Sequence, residues 1–101
     1  MDQELLRDID GWTKDYDEEK DRCYWNRPIP ESAGEPQWDG FSLAIGKAEE
    51  TEYHVMINVT FERRDDKLLD FAYKDITESL VEAMAVGETF VRQVERLYNL
   101  Q

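Results

Sequence analysis

The sequence contains one cysteine and one histidine in 101 residues. Cys23 cannot form an internal disulfide and has no second thiol with which to build a thiolate metal site. His54 alone cannot supply a multi-histidine metal cluster. We therefore expect a chain without disulfides, metal or cofactor, and a cytoplasmic location, where thiols stay reduced.

Long hydrophobic runs and glycine-rich motifs are also missing. No apolar run approaches the roughly 20 residues that a membrane-spanning helix needs, and the first four residues lack the features of a signal peptide. The five glycines are dispersed, and no phosphate-binding glycine pattern occurs. No set of residues resembles a catalytic constellation, so we expect neither a membrane partner nor enzyme activity.

Basic residues are scarce relative to acidic ones. The chain has 24 Asp and Glu against 12 Lys and Arg, a net charge of −12, which repels nucleic acid and anionic membranes and favours a basic protein partner. The hydrophobic fraction of 41% is high enough for a core, and a chain of this length fits one domain. We expect a single α+β domain over residues 1–101.

Two segments precede the predicted sheet. Apolar residues recur at helical spacing between residues 3 and 23, which predicts an amphipathic N-terminal helix on one stripe: Leu5, Ile9, Trp12, Tyr16 and Cys23. Residues 26–40 contain all three prolines and two glycines, which predicts a long irregular loop.

The next segment alternates between apolar and polar residues. Phe41, Leu43 and Ile45 begin this pattern, and residues 53–62 continue it, which predicts two antiparallel strands with one buried face. His54 falls on the wetter face, where it is expected as a plain surface residue. Residues 68–73 fit either a third strand or the start of a helix, and we favour the strand.

The C-terminal segment has a period of 3.6 residues. Its apolar stripe includes Met84, Val91 and Val94, with Asp75 as the predicted N-cap and Glu78 as its capping-box partner. Gly87 falls in this stripe, which predicts close approach to the sheet. The predicted architecture is a two-layer α+β domain with an N-terminal helix, a long proline-containing loop, a meander of two or three strands and a C-terminal helix on the sheet.

The run DYDEEKDRC at residues 15–23 holds five carboxylates. It does not match an EF-hand calcium loop, because position six is Lys20 and position twelve is Asn26. Two interpretations remain open: a solvated face of the predicted helix, or an acidic patch facing a basic partner.

Aromatic residues flank this run. Tyr24, Trp25 and Trp38 lie in or beside the predicted loop and are residue types that anchor protein interfaces, although the two tryptophans could instead cover the sheet. Cys23 fits a small core residue better than a nucleophile. The candidate partner-binding residues are Asp15, Tyr16, Asp17, Glu18, Asp21, Tyr24, Trp25 and Trp38.

In size and charge the chain resembles the small acidic inhibitors and immunity-type proteins of phages and mobile elements, some of which mimic DNA. This resemblance implies a non-enzymatic protein that blocks a basic, nucleic-acid-binding surface. The alternative hypothesis is an accessory or self-associating domain, for which a homodimer is compatible with the sequence. In that case acidity serves solubility alone, and apolar positions such as Phe90 and Leu97 carry the interaction.

Overall fold

A computed structural model describes residues 1–28, 40–63, 66–98 and 100, with the backbone alone for residues 60–63 and 66–71. Its elements are a 3₁₀ turn at Gln3–Leu5, strands β1 (Thr13–Asp17), β2 (Arg22–Pro28), β3 (Gly40–Glu49), β4 (Glu52–Arg63) and β5 (Asp66–Thr77), and helix α1 (Leu80–Leu97). The strands form one antiparallel sheet in the order β1-β2-β3-β4-β5. The fold is α+β, with α1 packed on one face of the sheet.

The predicted N-terminal helix is wrong. In place of a helix over residues 3–23, the chain forms the short 3₁₀ turn, an extended segment and the β1–β2 hairpin. Gly11 and Asp21 both have positive φ, at 85° and 50°, which a continuous right-handed helix does not allow. The apolar residues of the predicted stripe are mostly buried or half-buried, but strand alternation and chain reversals place them there instead of helical spacing.

The meander of two or three strands is also wrong, because the sheet has five strands. Asn26, Arg27 and Pro28 belong to β2, so the N-terminal part of the predicted loop is a strand. Residues 29–39 lie outside the described part of the chain. The preference for a strand at residues 68–73 is confirmed, since these residues fall within β5.

The core lies between the sheet and α1. Alternate residues of β2, β3 and β4 point towards the helix, which presents its own apolar stripe in return. Burying this much apolar surface is the main stabilising contribution to a domain of this size. The fully buried side chains include Cys23, Trp25, Phe41, Leu43, Ile45, Val55, Ile57, Val59, Met84, Val91 and Val94.

Helix α1 begins one turn later than the sequence predicts. Ser79 is the N-cap, and its side chain accepts a hydrogen bond from the backbone N–H of Glu82. The prediction of Asp75 and Glu78 in these roles is wrong: Asp75 is in β5, and its carboxylate accepts a bond from the N–H of Ile76. The β4–β5 pairing extends to Thr77, so the backbone remains extended until that point.

The predicted approach of Gly87 to the sheet is confirmed. A Cβ atom at this position would lie 3.2 Å from Leu43 Cδ2 and 3.3 Å from Ile45 Cδ1. The absence of a side chain lets the middle of α1 sit directly on β3, where a larger residue would have to displace the sheet's own side chains.

The second face of the sheet carries no helix among the described residues. It presents mainly polar and small residues together with the exposed side chains of Met56 and Ile76, and it includes His54, whose predicted position on the wetter face is confirmed. We call this surface the open face. Among the residues described, no helical segment has the length and apolar character that a membrane crossing requires.

Candidate functional site

The acidic run DYDEEKDRC forms the β1–β2 hairpin. Tyr16 pairs with Cys23 and points to the helix side of the sheet, whereas Asp15 pairs with Tyr24 and points to the open face. The carboxylates therefore do not form one row, as they would along a helix face. Among the candidate residues of the run, Glu18 lies in the turn between the two strands and is exposed.

Two aspartates of the run have structural roles in the hairpin. Asp17 accepts hydrogen bonds from the backbone N–H groups of Glu19 at 3.0 Å and Lys20 at 3.2 Å, which fixes the turn. The carboxylate of Asp21 accepts bonds from the Met1 ammonium group at 2.7 Å and from the Tyr16 hydroxyl.

These contacts change the acid–base properties of the pair. The Met1 ammonium group and then the Tyr16 hydroxyl hold the pKa of Asp21 below its ordinary value. The hydrogen bond to Asp21, with burial as a second cause, raises the pKa of Tyr16 to about 12. Asp21 is therefore a charged group already engaged within the chain, and Tyr16 is held neutral.

The aromatic candidates separate in the structure. Trp25 is fully buried, and its Nε1–H donates to the backbone carbonyl of Arg7 at 2.9 Å, so the side chain offers no surface to a partner. Tyr24 is half-buried on the open face next to Asp15. Trp38 lies outside the described residues, and its binding role stays a prediction.

Strand pairing places two acidic turns at the same end of the sheet. The β1–β2 turn follows Asp17, the β3–β4 turn follows Glu49, and both lie at the end where β5 leads into α1. Five exposed glutamates gather there, and we call them the acidic turn end: Glu18, Glu19, Glu49, Glu50 and Glu78.

Of these five glutamates, only Glu18 was among the candidate residues predicted from the sequence. The run AEETE at residues 48–52 was treated only as a connection between strands, although charged residues in a tight turn must be exposed. Had β2 been recognised in the sequence, the two antiparallel strands between the turns, β2 and β3, would have placed both turns at the same end of the sheet.

The open face also contains a small concavity of about 190 Å³. Ala44 and Gly46 of β3 line it, with Met56, His54 and several basic side chains around them. Sequence alternation assigned Ala44, Gly46, His54 and Met56 to the wetter face, but Arg22 fell in the predicted N-terminal helix, so the meeting of Arg22 with Lys74 was not predicted.

An apolar groove of about 470 Å³ lies between β5 and α1. The ring of Tyr73 stacks on that of Phe90 with centroids 5.9 Å apart, and Leu97 is 65% exposed beside them. Gln93 and Arg96 complete the lining. β5 is an edge strand of the sheet, so the groove runs along an edge.

Cys23 is a core residue, as predicted. Its side chain is fully buried, and burial raises the pKa of the thiol to about 11. The thiolate needed for nucleophilic attack is therefore disfavoured. Within residues 1–28, 40–59 and 72–98, no group of three or more His, Cys, Asp and Glu side chains is placed to hold a metal ion.

Comparison of the chain with protein families, with curated proteins and with solved structures found no match in any of the three.

Proposed function

We infer that the chain is a small non-enzymatic binding protein that docks its acidic turn end onto a basic surface of a protein partner in the cytoplasm. The observation that carries this proposal is the meeting of two acidic turns, distant in sequence, at one end of the sheet. An inhibitor of immunity type, whose carboxylates take the place of nucleic-acid phosphates, fits such a surface.

The five glutamates are available for a partner. All are exposed, and none forms an ion pair within 4.0 Å among the described residues. Asp17 and Asp21, by contrast, already serve the hairpin. Clustered exposed charge of one sign accelerates association with a surface of opposite sign and adds specificity.

The test compares two variants with the same change in net charge. The turn-end variant carries Glu18→Gln, Glu49→Gln and Glu50→Gln; the dispersed variant carries Glu4→Gln, Asp8→Asn and Asp10→Asn, at exposed positions before β1 and outside the acidic turn end. Each is immobilised beside the parent chain, and basic proteins retained from a nuclease-treated lysate are identified and then purified.

The association rate of a purified partner is measured against all three proteins at low and high salt. We expect the turn-end variant to associate about tenfold or more slowly than the parent, and the dispersed variant much less so. Duplex DNA should compete if the partner's surface normally binds phosphates. Equal slowing by both variants would mean that net charge, and not the acidic turn end, governs binding.

A second candidate function is self-association through the groove beside β5. The exposed Leu97 and the Tyr73–Phe90 stack give the apolar contact that a strand edge needs to recruit another chain. Salt separates the two candidates, because screening weakens binding to a basic partner but strengthens association of chains that each carry −12.

Mass in solution tests this second candidate. Light scattering of the parent should show a dimer that becomes more populated at high salt and is lost in Leu97→Lys, whereas Val81→Lys, at another exposed position of α1, should leave it unchanged. A monomer at all salt concentrations rejects self-association.

A further inference from the structure

The side chain of Arg22 does not pair with the acidic residue opposite it on β1. Asp17 is its cross-strand neighbour on the open face, yet no ion pair within 4.0 Å joins them. The side chain of Arg22 instead lies across β3: a Cβ atom on Gly46 would be 2.9 Å from Arg22 Cγ and 3.3 Å from Nε. The guanidinium is thus directed over the sheet.

Lys74 approaches the same place from the other side. It belongs to the row Tyr24, Ala44, Met56, Lys74, which runs beside the row of Arg22, Gly46 and His54. Three strand spacings separate β2 from β5, about 14 Å between the backbones, a gap that two long basic side chains can close from both sides. Both residues line the 190 Å³ concavity.

The lining of the concavity has the opposite sign to the rest of the molecule. Arg22, Lys47 and Lys74 line it, and no Asp or Glu does. Among the described residues none of the three bases forms an ion pair within 4.0 Å. Lys47 is within electrostatic range of Asp21, whereas Arg22 and Lys74 approach the same place with no carboxylate in the lining; like charges repel, and an anion between them relieves that repulsion.

His54 adds a polar group at the same position. Its Nε2 atom is shielded from solvent, lies 3.5 Å from Glu52 Oε2 and has no hydrogen-bond partner among the described residues. Buried polar atoms are normally paired, so this ring nitrogen is a second sign that the concavity is built around polar contacts.

We propose that the concavity binds a phosphate group. Arg22 supplies paired donors with the planar geometry that suits an oxyanion, and Lys74 supplies a point charge from the opposite side. Gly46, which has no side chain, lets Arg22 lie across β3, and the small side chain of Ala44 leaves room for the anion beside it. The volume of about 190 Å³ is below the 300 Å³ or more typical of sites for whole cofactors, which limits the ligand to a phosphate group or its like.

The experiment is an amide NMR titration of the full chain at pH 7 with inorganic phosphate, at a constant low ionic strength maintained with chloride. Saturable shifts should appear in β2, β3 and β4 around the concavity. Arg22→Gln and Lys74→Gln should each weaken binding by about tenfold or more, the loss expected for a charge-assisted hydrogen bond. Lys20→Gln, which removes the same charge at the exposed β1–β2 turn, should leave the affinity within about twofold.

A charge-neutral variant tests the shape of the site. Ala44→Leu fills the floor without altering any charge and should abolish the saturable shifts while the spectrum remains dispersed. Equal weakening by Lys20→Gln, binding retained in Ala44→Leu, or shifts that merely follow ionic strength would each overturn the proposal.

Phosphoserine, titrated in parallel, identifies the source of the group. Tighter binding of phosphoserine than of inorganic phosphate assigns the site to a phosphorylated side chain, and equal binding assigns it to the free oxyanion. The proposal is independent of the acidic turn end, because none of the five glutamates lines the concavity.

Discussion

At the scale of single residues, Asp21 shows how a carboxylate within an acidic run can be structural. It sits at a φ of 50°, a conformation that Asp and Asn tolerate better than most residues, and it bonds both Met1 and Tyr16. The sequence gives no hint of this role, since the contact to Met1 spans twenty positions. Charge alone therefore overstates how much of the run is available to a partner.

The charge of Asp21 should contribute to stability. We expect Asp21→Asn, which keeps the backbone conformation accessible, to lower the free energy of unfolding at pH 7 by about 1 kcal/mol, a modest value because the carboxylate is 36% exposed. Folding lowers the pKa of Asp21, so its contribution is present above the unfolded-state pKa of about 3.9 and is lost as the pH falls through the folded-state value.

Urea denaturation at several pH values checks this expectation. The difference between the parent and Asp21→Asn should shrink as the pH falls below about 4. Asp10→Asn, at an exposed position, is the matched control and should have little effect at any pH. A difference that persists unchanged at low pH would show that ionisation of Asp21 is not its cause.

At the scale of elements, the strands in the middle of the chain and the C-terminal helix could be predicted, whereas the N-terminal segment could not. Alternation was regular in residues 41–45 and 53–62, and the helix stripe was long. The N-terminal segment was wrongly predicted as a helix because Leu5, Trp12 and Tyr16 also match helical spacing. The alternation of Cys23 and Trp25 around Tyr24 was the local signal for β2, but it covered only three positions.

The start of α1 was missed for a related reason. Asp75 with Glu78 and Ser79 with Glu82 both fit the capping-box spacing, and Ile76 extends the apolar stripe by one turn. Pairing of β5 with β4 decides between them, because it keeps Ile76 extended with its side chain 52% exposed on the open face. Such long-range pairing cannot be read from local periodicity.

The contact between α1 and β3 depends on Gly87. We expect Gly87→Leu to destabilise the fold by about 1–3 kcal/mol through overpacking, although leucine is intrinsically the better helix former by nearly 1 kcal/mol. Even its Cβ atom would lie 3.2 Å from Leu43 Cδ2, and the rest of the side chain has no space in the core.

Chemical denaturation with Ala85→Leu as control tests this contact. Ala85 is exposed on the same helix, so leucine there should change the free energy of unfolding by less than about 0.5 kcal/mol. Gly87→Leu of parental stability would reject the close packing of α1 on the sheet.

At the scale of the whole molecule, sheet topology creates both candidate surfaces. The acidic turn end needs the hairpins to pair in order, and the basic concavity needs side chains from β2, β3, β4 and β5 to meet. Net charge was readable from composition, but the separation of opposite charges onto distinct surfaces was not, because it depends on which strands are neighbours. The sequence therefore indicated a charged binding protein without locating either surface.

Crowding of the glutamates at the acidic turn end should reduce stability at low salt. Like charges repel over the Debye length, which is about 30 Å at 0.01 M salt and about 10 Å at 0.1 M. Adding sodium chloride at pH 7 should therefore stabilise the parent. The turn-end variant should be more stable than the parent by about 0.5–1 kcal/mol at low salt and should gain less from added salt.

The dispersed variant separates local crowding from overall charge, because it loses three negative charges, as the turn-end variant does, but at positions before β1 and away from the two turns. If repulsion is concentrated at the acidic turn end, thermal or urea denaturation should show a flatter salt dependence for the turn-end variant than for the dispersed one. Identical salt profiles would mean that the loss of stability at low salt comes from the net charge of −12 as a whole. The proposed docking surface requires that the repulsion be concentrated at the acidic turn end. A basic partner that binds there then relieves a repulsion that the free protein carries.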